Sequence, residues 1–153
     1  MKTVIVIDDS KIYRHAITTL LRKLKFNVIE AENGLMGKRL FEQHSIDLAL
    51  IDIVMPKLDG YALCREVKTN PDLSHIPVIF CSSKDTTTDK YWAFKQGGDY
   101  FISKPMTAVD IVRAIDTCLH SPAKDSSQPQ PQPPSVTPHT LNLSIEEMSK
   151  SAV

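Results

Sequence analysis

No apolar run in this chain approaches the ~20 residues needed to span a bilayer, so insertion into a membrane is not expected. The amino terminus offers Lys2 and then Val4 to Ile7, which Asp8 and Asp9 interrupt at once. That is too short for a signal peptide. Charge of one sign is missing as well. The 18 Lys plus Arg residues meet 18 Asp plus Glu, which leaves no electrostatic footprint for nucleic acid. Cysteine is scarce, and Cys64, Cys81 and Cys118 form no CxxC or metal-binding spacing. An odd, scattered set reads as reduced thiols inside a cytoplasmic protein, most simply as small core residues. What remains is ordinary: 153 residues, 42% hydrophobic and 24% charged, a one-domain length with enough apolar mass for a real core.

The informative stretch runs from Asp47 to Pro56. The apolar run Leu48, Ala49, Leu50, Ile51 ends in a lone carboxylate, Asp52, and is stopped by Met55 and Pro56. A short continuous apolar run bounded this way reads as a buried strand of a parallel sheet. Other segments share the pattern. Thr3 to Ile7, Asn27 to Ala31, Pro77 to Cys81 and Tyr100 to Ile102 all read as strands. Helices fall between and after them. Ser10 caps the first, whose apolar face is Ile12, Ala16, Ile17, Leu20, Leu21 and Leu24. The second runs from Asn33 and Gly34 to about Gln43, and the third opens at Asp59 and Gly60. The fourth spans Thr86 to Gln96, and the fifth Thr107 to Leu119. Five such alternations predict a doubly wound α/β fold with right-handed crossovers. At this size the flavodoxin-like strand order 2-1-3-4-5 fits best.

From Ser121 the composition changes. Six of the ten prolines lie between Pro122 and Pro138, mixed with Gln and Ser. A folded domain is therefore expected over residues 1–121, followed by a disordered tail over 122–153. Near its end, Ser144 with Glu147 makes a capping box and Leu143 with Met148 a staple, which allows a short helix over 144–150. So short a helix is marginal alone.

The strands deliver polar groups to one edge of the sheet: Asp8 and Asp9 from the first, Asp52 from the third, Ser82 from the fourth and Lys104 from the fifth. Taken singly, Asp52 reads equally well as the cap of a turn. Together the groups point to chemistry. Crowded carboxylates repel, and a divalent cation relieves them. Oxygen-only ligation with few carboxylates suits Mg²⁺. Lys104 adds a positive charge and Ser82 a hydroxyl donor, an arrangement that neutralises an arriving phosphoryl group. Asp52 is the natural nucleophile, because a carboxylate can form an acyl phosphate.

Asp8, Asp9 and Ser10, then Asp52-x-x-Met55-Pro56-x-x-Asp59-Gly60, then Ser82, Ser83 and Lys84, and finally Lys104 and Pro105, resemble the receiver domain of bacterial two-component response regulators. The resemblance covers roughly residues 1 to 120. It implies a phosphoacceptor, not a classical enzyme, with Asp52 taking its phosphoryl group from a histidine kinase, CheA-like kinases among the candidates. It further implies Mg²⁺ held by Asp9 directly, by Asp8 largely through water, by Asp52 and by the Val54 backbone carbonyl. Lys104, Ser82 and the Ser83 backbone N–H would contact the phosphoryl oxygens. The Lys104–Pro105 bond would be cis. Ser82 and Phe101 would form the switch, Phe101 filling the space Ser82 vacates on activation. Departures are Ser for the common Thr at 82, Ser for Ala or Gly at 83, and Phe for the frequent Tyr at 101. Val54 and Lys84 flank the phosphate, and an apolar Val54 cannot hydrogen-bond an attacking water.

The Pro-rich tail is too poor in core residues for a helix-turn-helix module, so output is expected through protein–protein contact. Tyr91, Trp92, Phe94, Tyr100 and Phe101 cluster on the fourth helix and fifth strand, and aromatic-rich patches favour interfaces. Two or three of them are expected to be buried. The face of the fourth helix, fifth strand and fifth helix is thus the expected docking surface for a motility or pilus protein. Lys84, Asp85, Asp89, Lys90 and Trp92, with Gln96, Gly97, Asp99 and Tyr100, resemble the PilH-type receivers of pilus motility. That likeness implies type IV pilus, phototaxis or chemotaxis-like control. Three rivals fit less well. A haloacid-dehalogenase-type phosphatase wants a second Asp where Val54 stands. A flavin carrier would be repelled by Asp8 and Asp9. An adaptor that no longer takes phosphate would not need the full acceptor set.

Overall fold

The segments marked as strands form one parallel sheet. The structure, a computed structural model, describes residues 1–120; the expected tail and its short helix lie outside the described residues. The strands are β1 (Thr3–Ile7), β2 (Asn27–Ala31), β3 (Leu48–Ile51), β4 (Val78–Ser82) and β5 (Tyr100–Ser103). Between and after them come α1 (Lys11–Lys23), α2 (Gly34–Gln43), α3 (Gly60–Thr69), α4 (Thr87–Lys95) and α5 (Ala108–His120). Strand order is β2-β1-β3-β4-β5, the flavodoxin-like order expected. None of the described helices is long and apolar enough to cross a membrane.

β1, β3 and β4 are sandwiched between two layers of helices, which is why they read as unbroken apolar runs. Alternate residues feed opposite cores. Ile5, Ile7, Ala49, Ile51, Val78 and Phe80 pack with α2, α3 and α4 on one side. Val4, Val6, Leu48, Leu50, Ile79 and Cys81 pack with α1 and α5 on the other. Every helix from α1 to α4 starts with a capping side chain, those of Ser10, Asn33, Asp59 and Thr86, each accepting a backbone N–H of the first turn. Thr86 and Asp89 form a reciprocal capping box at α4. Gly97, with φ +105°, makes the turn after α4 that a side chain would strain.

Two expectations fail. Of the face expected for α1, Ile12 is 83% exposed and Leu24, just past the helix end, 42%, and Ala16 is exposed too. The buried face is Ile17, Thr18 and Leu21, with Tyr13 and Arg14 half-buried above it. Ile12 lies in the first turn, at the rim of the carboxyl edge. Thr18 can be buried because its hydroxyl donates back to the His15 carbonyl at 3.2 Å. Of the five clustered aromatics only Phe101 is fully buried. Trp92 is 50% exposed, and Tyr91, Phe94 and Tyr100 are half-buried. Helix α4 is short and presents little apolar surface to the sheet, with Ala93 its one buried residue.

Candidate functional site

β1 and β3 are neighbours in register, Ile7 opposite Ile51, so the residues that follow them leave the sheet side by side. Those residues are Asp8 and Asp52. Main-chain bonds hold both: the Asp8 N–H donates to the Ala31 carbonyl at 3.1 Å, and the Asp52 N–H to the Ile7 carbonyl at 2.9 Å. Their side chains are buried, while that of Asp9 is exposed. Carboxylate oxygens of Asp8, Asp9 and Asp52 lie within 4.8 Å of one another. On the far side β4 and β5 end together, Ser82 opposite Ser103, and Lys104 follows, joined to Pro105 by a cis peptide bond as expected.

Lys104 reaches across to the acids. Its Nζ donates to Asp8 Oδ2 at 2.7 Å and stands 3.5 Å from Asp52 Oδ2, with only 6% of the side chain exposed. The other carboxylate oxygens are held too. Asp8 Oδ1 accepts the Ser10 N–H at 2.8 Å, and Asp52 Oδ1 the Ile53 N–H at 2.8 Å. Burial, and then the charge of Asp8, raise the pKa of Asp52 above the ordinary carboxylate value, against the opposing pull of Lys104. Burial pulls the Lys104 pKa down, but the hydrogen bond and charge of Asp8, with help from Asp52, outweigh it, and the ammonium is stabilised. Three acids against one lysine leave an excess of negative charge around oxygen ligands only. That donor set fits a hard divalent cation such as Mg²⁺.

The other predicted residues surround this centre. Ser82 is buried and its hydroxyl accepts the Lys84 N–H at 3.1 Å. Ser83 is exposed, as is Val54 at 60%. Phe101 lies inside the fold, 7% exposed, with Lys90 Nζ 5.6 Å from its ring centroid. Lys84 Nζ sits 3.7 Å from Asp89 and 5.5 Å from the Tyr61 ring. The Tyr61 hydroxyl donates to the Asp89 carbonyl at 2.8 Å, which ties α3 to the start of α4. Burial, with Asp89 and Asp59 adding to it, pushes the Tyr61 phenol up to about 12, so it stays a donor at neutral pH.

Two residues of the centre were missed in the sequence. The Tyr13 ring centroid lies 4.2 Å from Lys104 Nζ, a cation–π contact inside the buried site. Arg14 Nη1 donates to the Asp8 carbonyl at 2.7 Å. Both follow the helix cap Ser10 by one turn. The signal available was that spacing, which aims residues three and four beyond a cap back toward the loop before it.

A parallel sheet of this order, with a buried acid pair, a third acid and a buried lysine at its carboxyl edge, defines a CheY-like α/β domain. The chain belongs to the response regulator receiver domain family, whose pattern matches residues 4–116. It is 35% identical to protein PilH of Pseudomonas aeruginosa over 119 residues, covering 78% of this chain and 98% of PilH. It is 38% identical to protein PilG of the same organism over 112 residues, 73% of this chain and 83% of PilG. Among solved structures it matches the receiver domain of a Pseudomonas aeruginosa sensor histidine kinase, with TM-score 0.73 and 22% identity, over 78% of this chain and 98% of that one. That structure has a magnesium ion coordinated in its active site cleft. The likeness to PilH agrees with the resemblance carried by the Lys84–Tyr100 stretch.

Proposed function

We propose that this receiver accepts a phosphoryl group on Asp52 from a histidine kinase and passes the signal on by protein–protein contact in the control of pilus-based motility. The observation that carries the reading is the Asp52 carboxylate, buried beside Lys104 and within 4.8 Å of two further acids. An Asp52 oxygen attacks phosphorus as the P–N bond to the kinase histidine breaks, and that bond's electron pair leaves on the imidazole nitrogen. Asp8, Asp9, Asp52 and the Val54 carbonyl would hold Mg²⁺, which when bound neutralises charge on the phosphoryl oxygens. Lys104 exchanges part of its contact with the acids for the phosphoryl group, and Ser82 and the Ser83 N–H bind the remaining oxygens. The exposed Val54 side chain offers a hydrolytic water no hydrogen bond. Phe101 already occupies the inner position, so the switch is read most directly at Ser82 and the loop after it.

Likeness to PilH and PilG supports the motility assignment, and the half-exposed Trp92 on α4 supports a docking face there. The first test is intact mass after incubation with acetyl phosphate, with and without Mg²⁺. A Mg²⁺-dependent gain of one phosphoryl group is expected. No gain would leave a binding module that works without phosphate.

Lys104→Ala separates acceptance from switching. The expected result is a chain that still takes label, more slowly, but whose Trp92 fluorescence no longer responds to acetyl phosphate and Mg²⁺. An unaltered fluorescence response would remove Lys104 from the switch.

A further inference from the structure

Of the three acids, two have their side chains tethered. Asp8 is held by Ser10 and Lys104, and Asp52 by Ile53 and Lys104. Among the described residues the exposed Asp9 carboxylate has no such tether, so its aim depends on the main chain that carries it. That main chain is pinned at the Asp8 carbonyl, which lies beyond the last residue of β1 and accepts from Arg14 Nη1 at 2.7 Å. Arg14 is itself fixed. Its Nε lies 3.5 Å from Glu30 Oε1 on β2, and the other Glu30 oxygen is 3.2 Å from Arg22 Nη2. Only 16% of the Arg14 side chain is exposed, so the guanidinium is a braced strut between β2 and the acid loop.

We infer that Arg14 is a positioning residue for the metal site: it fixes the Asp8–Asp9 peptide and so aims the Asp9 carboxylate. The inference rests on the reading of the acid cluster as a Mg²⁺ site. Arg14 does not touch the cation; its own positive charge would oppose it, so any gain must come through orientation. Glu30, which neutralises and braces the guanidinium, is the second member of the device. This is the arrangement by which outer groups tune a ligand set.

The test is Mg²⁺ affinity of the full chain, followed by NMR titration without any phosphodonor. Arg14→Met keeps the apolar stem and removes both contacts. It is expected to weaken Mg²⁺ binding about tenfold, with Arg14→Lys, which retains one donor, intermediate. Asp9→Asn supplies the discriminating background, because there Arg14→Met should weaken binding no further. Equal affinity in Arg14→Met and the parent, or the same fold-loss in the Asp9→Asn background, would overturn the role. If Arg14→Met fails to fold, Glu30→Gln and Arg14→Lys decide the matter, each expected to weaken binding in the parent and not in Asp9→Asn. A parent chain that takes no Mg²⁺ overturns the metal reading and this inference with it, whereas a parent that binds beside unaffected variants overturns Arg14 alone.

Discussion

Asp52→Asn is expected to reduce labelling by acetyl phosphate to background, and to do so without unfolding the protein. The amide has the shape of the carboxylate, and its oxygen can still accept the Ile53 N–H that Asp52 Oδ1 accepts at 2.8 Å. The Lys104 ammonium keeps its shorter contact, to Asp8 at 2.7 Å. What disappears is one negative charge from three carboxylates within 4.8 Å, and with it the carboxylate proposed as the nucleophile, since an amide oxygen does not form a stable acyl phosphate. In the absence of Mg²⁺ the variant should therefore melt no lower than the parent, because relief of repulsion with Asp8 outweighs the weaker Lys104 contact. Intact mass and a thermal melt on the same sample check both halves. Stable label on Asp52→Asn would move the acceptor elsewhere. Loss of label accompanied by a lower melting temperature would mean that the carboxylate also supports the fold.

The polar edge of the sheet was legible because it combines two strong signals, apolar runs of strand length and polar residues at the point where each run stops. Asp8, Asp52, Ser82 and Lys104 all come from such stops, and the register of β1 with β3 and of β4 with β5 brings them together. The helices were harder to read at their ends. Hydrophobic period correctly places Ile17 and Leu21 in the core, but it cannot show that the first turn of α1 runs past the sheet, where Ile12 meets solvent and Tyr13 and Arg14 turn inward. Amphipathic side chains defeat a two-letter code: Arg14 buries its stem and spends its charge on a carbonyl and Glu30. The aromatic cluster misled for a related reason. Tyr91 and Trp92 pack on one another, ring centroids 5.4 Å apart, rather than against the sheet.

Gly60→Ala should be far more damaging than its place in a helix suggests. Within a helix, Gly to Ala is normally favourable by about 1 kcal/mol. Here Gly60 is the first residue of α3, and a Cβ on it would come within 2.1 Å of the Asp52 carbonyl oxygen and 2.9 Å of the Asp52 carbonyl carbon and Ile53 Cα. Every one of those atoms is backbone, so no side chain can swing aside. The Gly60 N–H also donates to the Ile53 carbonyl at 2.8 Å, which holds α3 and the loop after β3 in that contact. To admit a methyl group, the loop carrying Asp52, Ile53 and the Val54 carbonyl must move away from α3. The expected cost is about 2–3 kcal/mol of stability in urea unfolding, with a clear loss of labelling rate in the fraction that remains folded. Ala62→Gly makes the comparison fair. It lies in the same helical turn, costs about 1 kcal/mol through propensity alone, and should leave labelling unchanged because it removes a methyl group instead of forcing one against the loop after β3. If Gly60→Ala matches the parent in both stability and labelling, α3 can slide by the width of a methyl group without disturbing Asp52, and the close approach is not what positions that carboxylate. If it loses stability but labels normally, the contact serves the fold alone. Loss of both ties the first turn of α3 to the aim of Asp52.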